Sequence, residues 1–205
     1  NPASANKPTA FAVTVAPATL SANEVPWLKS ILQVYPGSAY GNVETRGLDS
    51  AFASDTYVDT ALETALFDDI LARRVRLVIL CGNAGDGKTA LLQHLAKRFG
   101  VPEPTSAQRI WETTTSSGLK LEANLDGAAA FGGTSANELL DEFFAPFVQG
   151  SPTEDIAHLL AINDQHLLEW IDRRQSQGQG TSLVDHLTVR LDQESDATPP
   201  DSHIR

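Results

Sequence analysis

A glycine-rich stretch of eight residues constrains the fold of this chain more than any other feature. It reads Gly82-Asn83-Ala84-Gly85-Asp86-Gly87-Lys88-Thr89, which is the pattern G-x-x-x-x-G-K-T. The glycines allow the main chain to wrap around a phosphate, with successive N–H groups directed inward and the positive end of a following helix behind them. The Lys88 ammonium then reaches the terminal phosphates as a catalytic group, and the Thr89 hydroxyl binds Mg²⁺. The pattern therefore predicts a phosphate-binding loop that runs from Gly82 to Ala90.

The residues on either side of this loop have the patterns of the strand and the helix that it would connect. Residues 75–81 form a short run of apolar and β-branched residues, which is typical of a buried parallel strand. After the loop, Leu91, Leu92 and Leu95 recur at helical spacing, and Gly100 ends the pattern. Strand, glycine loop and helix in this order are the context that the motif requires.

The rest of the chain alternates between helix and strand patterns. Helices with capping-box spacing begin at Thr60 and Ser135, and another helix follows Asn163. Further strands are predicted at residues 109–113, 119–125, 156–162 and 183–191. Because strands that alternate with helices form parallel sheets, the sequence predicts an α/β fold with a parallel sheet and helices on both faces.

Composition divides the chain into four segments. Residues 1–22 are rich in Ala, Pro, Ser and Thr, which indicates a linker or flexible arm. Residues 23–57 are predicted to hold a short helix at 24–35 and a polar loop at 38–55, residues 58–193 the loop-bearing domain, and residues 194–205 a polar tail. The chain contains no methionine and begins with asparagine. We therefore expect a fragment of a longer protein, in which the loop-bearing domain can be truncated.

Charge and cysteine content exclude several classes of function. The 15 basic and 26 acidic residues give a net charge of −11, so direct nucleic-acid binding by this segment is not expected. There is no run of eighteen apolar residues and no secretory leader, so no membrane association is expected and the cytoplasm is the default location. Cys81 is the only cysteine and is predicted to be a small buried group, and no zinc-binding spacing is present.

A phosphate-binding loop of this kind acts together with a carboxylate at the end of a neighbouring strand, which holds Mg²⁺. Asp164 follows the strand predicted at 156–162, and Asp126 follows the strand predicted at 119–125. Each is therefore a candidate catalytic and metal-side acid. If Asp164 is that acid, Asn163 and Gln165 flank it where a second carboxylate is expected. Both acids also have structural explanations, Asp164 as a helix N-cap and Asp126-Gly127 as a turn. The sequence leaves these alternatives open.

The loop and its glycine spacing resemble the P-loop NTPases, in the form frequent in the AAA+ and STAND ATPase groups. The resemblance covers residues 58–175 and implies ATP as the bound nucleotide, with Mg²⁺ as cofactor. It implies that residues 42–57 help to hold the adenine. If Asp126 is the metal-side acid, Asn163 resembles the sensor-1 position of AAA+ proteins, which contacts the γ-phosphate or the attacking water. Arg173 or Arg174 is a candidate for a trans-acting arginine finger, the alternative being solvated basic residues that close a helix.

The segments at residues 44–49 and 161–164 resemble large multidomain bacterial ATPases of phage-defence loci. Three functions follow from these resemblances. They are an ATPase module that acts as motor or switch of a larger protein, a nucleotide-binding switch with little turnover, and a small-molecule kinase. The expected partners are the other domains of a longer parent protein and further copies of this chain.

Overall fold

The computed structural model describes residues 47–49, 51–102, 104–105 and 107–192. The predicted arm at 1–22, the predicted helix at 24–35 and the predicted tail at 194–205 lie outside these residues. The described elements, in chain order, are α1 (Ala51–Asp55), α2 (Ala61–Leu71), β1 (Leu77–Leu80), α3 (Lys88–Arg98), β2 (Ile110–Thr114), β3 (Lys120–Asn124), α4 (Ala136–Phe144), a short 3₁₀ turn (Ala145–Phe147), β4 (Ile156–Ala161), α5 (Asp164–Ser176) and α6 (Ser182–Asp192).

The sheet has four strands in the order β1-β4-β3-β2. Strand β4 lies between β1 and β3 and runs parallel to both. Strand β2 pairs with β3 in the antiparallel direction, so the prediction of an all-parallel sheet was wrong at this edge. Only residues 115–119 connect the two strands, and a parallel crossover needs about a dozen residues or more. As a result, β2 begins at the edge of the sheet where β3 ends.

Helices cover both faces of the sheet, as predicted. Neighbouring strand residues point to opposite faces, so Val78 and Leu159 join one core while Leu77 and Leu160 join the other. The first core also contains buried residues of α2 and α3, and the second contains buried residues of α4, α5 and α6. The chain therefore leaves β1 toward one face of the sheet, through α3, and leaves β4 toward the opposite face, through α5.

Two predictions of local structure were wrong within the described residues. Helix α1 occupies part of the segment predicted as a loop at 38–55, because two alanines in Ala51–Asp55 favour a helix locally. Helix α6 replaces the strand predicted at 183–191. Its buried residues Leu183, Val184 and Leu187 have helical spacing, and this periodicity outweighs the β-branched content of the segment.

The helix starts differ in a way that bears on the glycine loop. Thr60, Asn163 and Ser135 each close the start of a helix with a side-chain hydrogen bond, and Ser135 forms the full capping box with Glu138. Helix α3 starts after Gly87, which has a left-handed conformation and supplies no side-chain cap. Among the described residues, no helix is long and apolar enough to cross a membrane.

Candidate functional site

A cleft of about 530 Å³ opens at the edge of the sheet where β1, β3 and β4 end. Residues 84–90 of the glycine loop and the first turn of α3 form one wall, and Gly47 and Arg109 contribute from other parts of the chain. The lining residues near the ends of β3 and β4 are Leu125, Asp126, Ala128, Ala161, Ile162 and Asn163. The fold thus brings the glycine loop, one candidate acid and the predicted sensor-1 residue to one place.

The glycine loop has the left-handed backbone that its glycines predict. The φ angles of Gly82, Gly85 and Gly87 are 144°, 93° and 80°. Inside the loop, the Asp86 carboxylate accepts a hydrogen bond from the Asn83 N–H at 2.6 Å. A side chain at position 82 would lie 2.6 Å from that carboxylate, so the close approach of Asp86 also requires glycine there.

The Lys88 ammonium lies across its own loop. It donates hydrogen bonds to the carbonyl oxygens of Gly82 at 2.7 Å and of Asn83 at 2.6 Å. These two residues do not themselves line the cleft, whereas Lys88 does. The positive charge of Lys88 is therefore held at the loop, beside the uncapped start of α3.

Thr89 and Asp126 approach the cleft from neighbouring elements. The Thr89 hydroxyl donates a hydrogen bond to the carbonyl oxygen of Leu125 at 3.3 Å. The Asp126 carboxylate lines the cleft and also accepts a hydrogen bond from the Ala128 N–H at 3.2 Å. The Asp126 main-chain N–H is in turn bound by the side chain of Asn124, which is buried. Asp126 is thus part of a turn and a wall of the cleft at once.

Asn163 and Asp164 have different surroundings although they are adjacent. Asn163 lines the cleft and is the N-cap of α5, because its side-chain oxygen accepts a hydrogen bond from the His166 N–H at 2.8 Å. The N-cap explanation for Asp164 was therefore wrong by one residue. Asp164 is the first residue of α5 and is not among the lining residues; partial burial, followed by the charge of Asp164, raises the pKa of the Cys81 thiol. Cys81 itself is exposed, not buried as predicted.

Gln93, a residue that sequence reasoning missed, fixes the position of the segment that contains Gly47. Its side chain is 1% exposed and lies in the middle of α3. Its oxygen accepts a hydrogen bond from the Leu48 N–H at 2.6 Å, and its nitrogen donates to Asp49 Oδ1 at 2.7 Å and to the Pro104 carbonyl at 3.1 Å. A side chain at Gly47 would overlap the Gln93 oxygen, so this approach requires glycine. The sequence signal that could have identified Gln93 is a polar residue on the buried side of a predicted helix.

Arg109 is a second residue that sequence reasoning missed, and it lines the cleft directly. Its side chain is 8% exposed and donates hydrogen bonds to the carbonyls of Ala130 at 3.0 Å and Ala129 at 2.5 Å. The guanidinium also lies 4.9 Å from the centre of the Phe131 ring. Under a parallel arrangement, Arg109, which directly precedes β2, would stand at the opposite edge of the sheet. The short connection at 115–119 was the signal that could have placed it correctly.

A group of metal-ligating residue types lies elsewhere, between α2 and α3. Asp59, Glu63 and His94 offer ligand atoms within 4.8 Å of one another. However, the carboxylate of Glu63, which is 0% exposed, already accepts hydrogen bonds from Tyr57 at 2.8 Å and Arg98 at 3.3 Å, and lies 2.7 Å from His94 Nδ1. The positive charge of Arg98 opposes a cation at this carboxylate. We therefore interpret the group as an ionic connection between the two helices.

The two arginine-finger candidates are engaged inside the chain. Arg173 lies 2.7 Å from the Asp141 carboxylate and Arg174 lies 3.6 Å from the same oxygen. The Arg174 guanidinium also lies 5.8 Å from the centre of the Trp170 ring. The alternative prediction of solvated residues was incomplete, because both side chains connect α5 to α4.

Comparisons with known proteins give no direct guide to the cleft. No protein-family model matches the chain, and no curated protein matches it either. The function of the cleft therefore has to be inferred from its own residues and from their arrangement.

Proposed function

We propose that this chain is a P-loop module that binds ATP with Mg²⁺ in the cleft and hydrolyses it, as the motor or switch of a larger multidomain protein. One observation carries the proposal. The loop Gly82–Thr89 shares a single cleft with Asp126 and with Asn163, although these residues come from three separate parts of the chain. A volume of about 530 Å³ is within the range of small-molecule sites.

The position of the cleft in the sheet supports ligand binding. In open α/β sheets, ligands bind beyond the carboxyl ends of the strands, where neighbouring strands continue to opposite faces. Strands β1 and β4 are such neighbours, because β1 continues into α3 on one face and β4 into α5 on the other. The glycine loop follows β1 and Asn163 follows β4, so both stand at this point.

The loop fits a phosphate group. The amides in the first turn of α3 have no side-chain cap, in contrast to the capped starts of α2, α4 and α5. An anion at this helix start is stabilised by those amides and by the helix dipole. Lys88 adds a positive charge from a side chain held by the loop carbonyls. These groups would hold the phosphates of the nucleotide.

Thr89 and Asp126 fit a magnesium ion better than any pair that includes Asp164. Mg²⁺ takes oxygen ligands and keeps several waters, so a hydroxyl and one nearby carboxylate suffice. Thr89 Oγ1 bonds to the carbonyl directly before Asp126, and both residues line the cleft. Asp164 is not among the lining residues. We therefore propose Thr89 and Asp126 as the metal-side pair, where the sequence left Asp164 open.

Asn163 fits the role of a phosphate contact if its side-chain NH₂ group faces the phosphate. Its side-chain oxygen is used to cap α5, so its NH₂ group is the end that can meet an anion. An amide donor at the end of a strand beside the glycine loop suits a γ-phosphate or an attacking water, as the AAA+ resemblance implies. Asn163 would orient these groups rather than take up a proton.

Gly47 fits the base side of the nucleotide. A side chain at Gly47 would lie 3.0 Å from the Thr89 methyl group, whereas the Thr89 hydroxyl faces Leu125. The part of the cleft that Gly47 forms is called the Gly47 wall below. The metal-side groups and this wall therefore lie on different sides of Thr89. This supports the expectation that the segment before the domain holds the adenine, with Gln93 keeping it in place.

A nucleotide-binding switch with little turnover is the second candidate, and the acids of the cleft favour it. The described lining includes only Asp86 and Asp126 as carboxylates, and Asp86 is bound to the loop amide of Asn83. A second carboxylate to activate water is therefore lacking in this part of the chain. We expect turnover by the isolated chain to be slow.

Phosphate release from ATP, measured for wild type, Lys88→Ala and Lys97→Ala, tests the proposal. Lys97 is an exposed lysine at the far end of the same helix, so its variant controls for loss of charge. Turnover that depends on Lys88 and Mg²⁺ but not on Lys97 supports the ATPase. ATP binding without turnover supports the switch, and equal turnover by all three proteins would reject hydrolysis at this site. Transfer of phosphate to a small acceptor instead would indicate a kinase.

A further inference from the structure

We propose that Arg109 distinguishes nucleoside triphosphate from diphosphate in the cleft and transmits the difference to the turn formed by residues 128–131. This inference rests on the proposed function and adds a second phosphate-binding cation to it. Arg109 would be a positioning and specificity residue. Arg109 lines the cleft, and its guanidinium holds the turn.

The β2–β3 hairpin places Arg109 beside the phosphate end of the cleft. Because β2 runs antiparallel to β3, its first residues stand next to the last residues of β3. The Arg109 carbonyl accepts a hydrogen bond from the Leu125 N–H at 2.9 Å, and the Leu125 carbonyl accepts one from the Thr89 hydroxyl. Leu125 therefore connects Arg109 to Thr89, because its N–H bonds to the first and its carbonyl to the second. The next residue is Asp126, the proposed metal-side acid.

The charge of the cleft needs a cation at this position. A triphosphate together with Asp86 and Asp126 carries more negative charge than the Lys88 ammonium and the proposed Mg²⁺ can balance between them. A guanidinium stays protonated in proteins and binds phosphate through a planar fork of N–H donors. A diphosphate is shorter by one phosphate, so a cation that lies beyond the glycine loop meets the terminal phosphate only in the triphosphate.

The turn is built so that a change at Arg109 alters it. The Ala129 and Ala130 carbonyls accept hydrogen bonds from the two terminal nitrogens of Arg109, and the Phe131 ring lies under the guanidinium. Gly132 and Gly133 follow with φ angles of 61° and 88°, a conformation that favours glycine. An anion that attracts the guanidinium competes with these contacts, because an arginine fork cannot satisfy both sets of acceptors in every orientation.

Phe131 gives the turn a surface for reporting the nucleotide state. Its side chain is 38% exposed although it is large and apolar. A shift of the guanidinium removes the cation–π contact and changes how much of this ring faces solvent. The triphosphate and diphosphate states would then present different surfaces at residues 128–131.

Affinity for ATP and for ADP, measured by calorimetry with Mg²⁺, tests the inference. The variants are Arg109→Gln, Arg109→Lys and, as a control, Arg74→Gln, which removes an arginine bound to Asp69 outside the cleft. Arg109→Gln should weaken ATP by about tenfold or more while ADP changes by less than about threefold. Arg109→Lys should recover part of the ATP affinity, and Arg74→Gln should change neither affinity. An unchanged ratio of ATP to ADP affinity in Arg109→Gln overturns the inference.

Hydrogen exchange on the wild-type protein keeps the inference testable if Arg109→Gln fails to fold. Amide exchange at residues 128–131 should differ between the ATP-bound and ADP-bound states. Identical exchange in both states overturns the proposed transmission to the turn. The proposed function fails separately, if wild type binds neither nucleotide or if Lys88→Ala leaves ATP binding unchanged.

Discussion

The Thr89 hydroxyl donates a hydrogen bond to the Leu125 carbonyl at 3.3 Å, which joins the first turn of the loop-bearing helix to the end of the neighbouring β3 region. The next residue after Leu125 is Asp126, so this bond connects the start of α3 to the segment that carries the acid that we propose for the metal. The hydroxyl donates its proton to this carbonyl and keeps its oxygen lone pairs for Mg²⁺, so the bond can persist when the ion is held. The two halves of the candidate site are thus connected before any ligand is considered.

The first prediction concerns the two candidate acids. Asp126→Asn should lower Mg²⁺-dependent ATP turnover by about 100-fold or more, because it removes the cleft carboxylate that directly follows the Thr89-bonded Leu125. Asp164→Asn should lower turnover by less than about threefold, since Asp164 is not a lining residue. Steady-state phosphate release across a range of Mg²⁺ concentrations measures both effects. A larger loss in Asp164→Asn would reverse our assignment of the acid.

The second prediction separates two roles of Asn163. Asn163→Ala removes the N-cap of α5 and should lower the free energy of unfolding by about 1 kcal/mol. Asn163→Asp keeps a capping oxygen but replaces the NH₂ donor with negative charge, so stability should change little while ATP turnover falls by about tenfold or more. Urea unfolding and phosphate release measure the two quantities. If Asn163→Asp retains full turnover, Asn163 serves the helix only.

The third prediction concerns Gln93 and the Gly47 wall. Gln93→Leu removes the bonds to Leu48, Asp49 and Pro104, so it should release the wall while leaving the glycine loop in place. Affinity for ATP should fall by about fivefold or more, and affinity for inorganic tripolyphosphate should stay the same. Competition binding with both ligands measures this difference. The control is Lys88→Ala, which should weaken the binding of both ligands. If Gln93→Leu lowers the affinities for ATP and for tripolyphosphate equally, the Gly47 wall does not contact the base of the nucleotide.

The fourth prediction concerns pH and the connection between α2 and α3. Burial favours the neutral acid, but hydrogen bonds from His94, Tyr57 and Arg98 outweigh it and hold the pKa of Glu63 below its ordinary 4.5. A lowered folded-state pKa means that Glu63 contributes stability above about pH 4.5, and that this contribution is lost as the pH falls through the folded-state value.

Glu63→Gln tests that sign. At pH 7 this variant should lose about 1.5–3 kcal/mol of unfolding free energy relative to wild type, because it weakens charge-assisted hydrogen bonds in a buried place. The difference should shrink steadily between pH 5 and pH 3 when both proteins are unfolded with urea. Glu138→Gln, in the exposed capping box of α4, is the control and should lose less. A difference that grows toward acid pH contradicts the assigned network.

Local patterns were enough to predict most of the elements that build the cleft. The strand before the loop, helix α3, strands β3 and β4, and the capping box at Ser135 all occur where the sequence predicts them. Asp126 and Asn163 could be named as candidates, because polar residues at strand ends meet at one edge of a sheet. Which of Asp126 and Asp164 faces the cleft could not be predicted, since that depends on how α5 starts after Asn163.

Residues brought in by tertiary contacts were not predictable in the same way. Arg109 reaches the cleft only because β2 reverses direction, and the prediction of a parallel sheet put its strand the other way round. Gln93 looks like an ordinary polar residue in a helix until its partners at Leu48 and Asp49 are known. Glu63 was predicted to complete a capping box with Thr60, but its carboxylate bonds to His94 and Tyr57 instead.

Calorimetric titration of ATP in the presence of Mg²⁺, with wild type and Lys88→Ala, tests the central claim most directly. The account predicts one class of ATP site in the wild type and a loss of affinity of about tenfold or more in Lys88→Ala. The unfolding free energies of the two proteins should agree within about 0.5 kcal/mol, because within the described part of the chain the Lys88 ammonium bonds to carbonyls of its own loop. Absence of ATP binding in the wild type, or equal affinity in both proteins, would contradict nucleotide binding by the loop Gly82–Thr89.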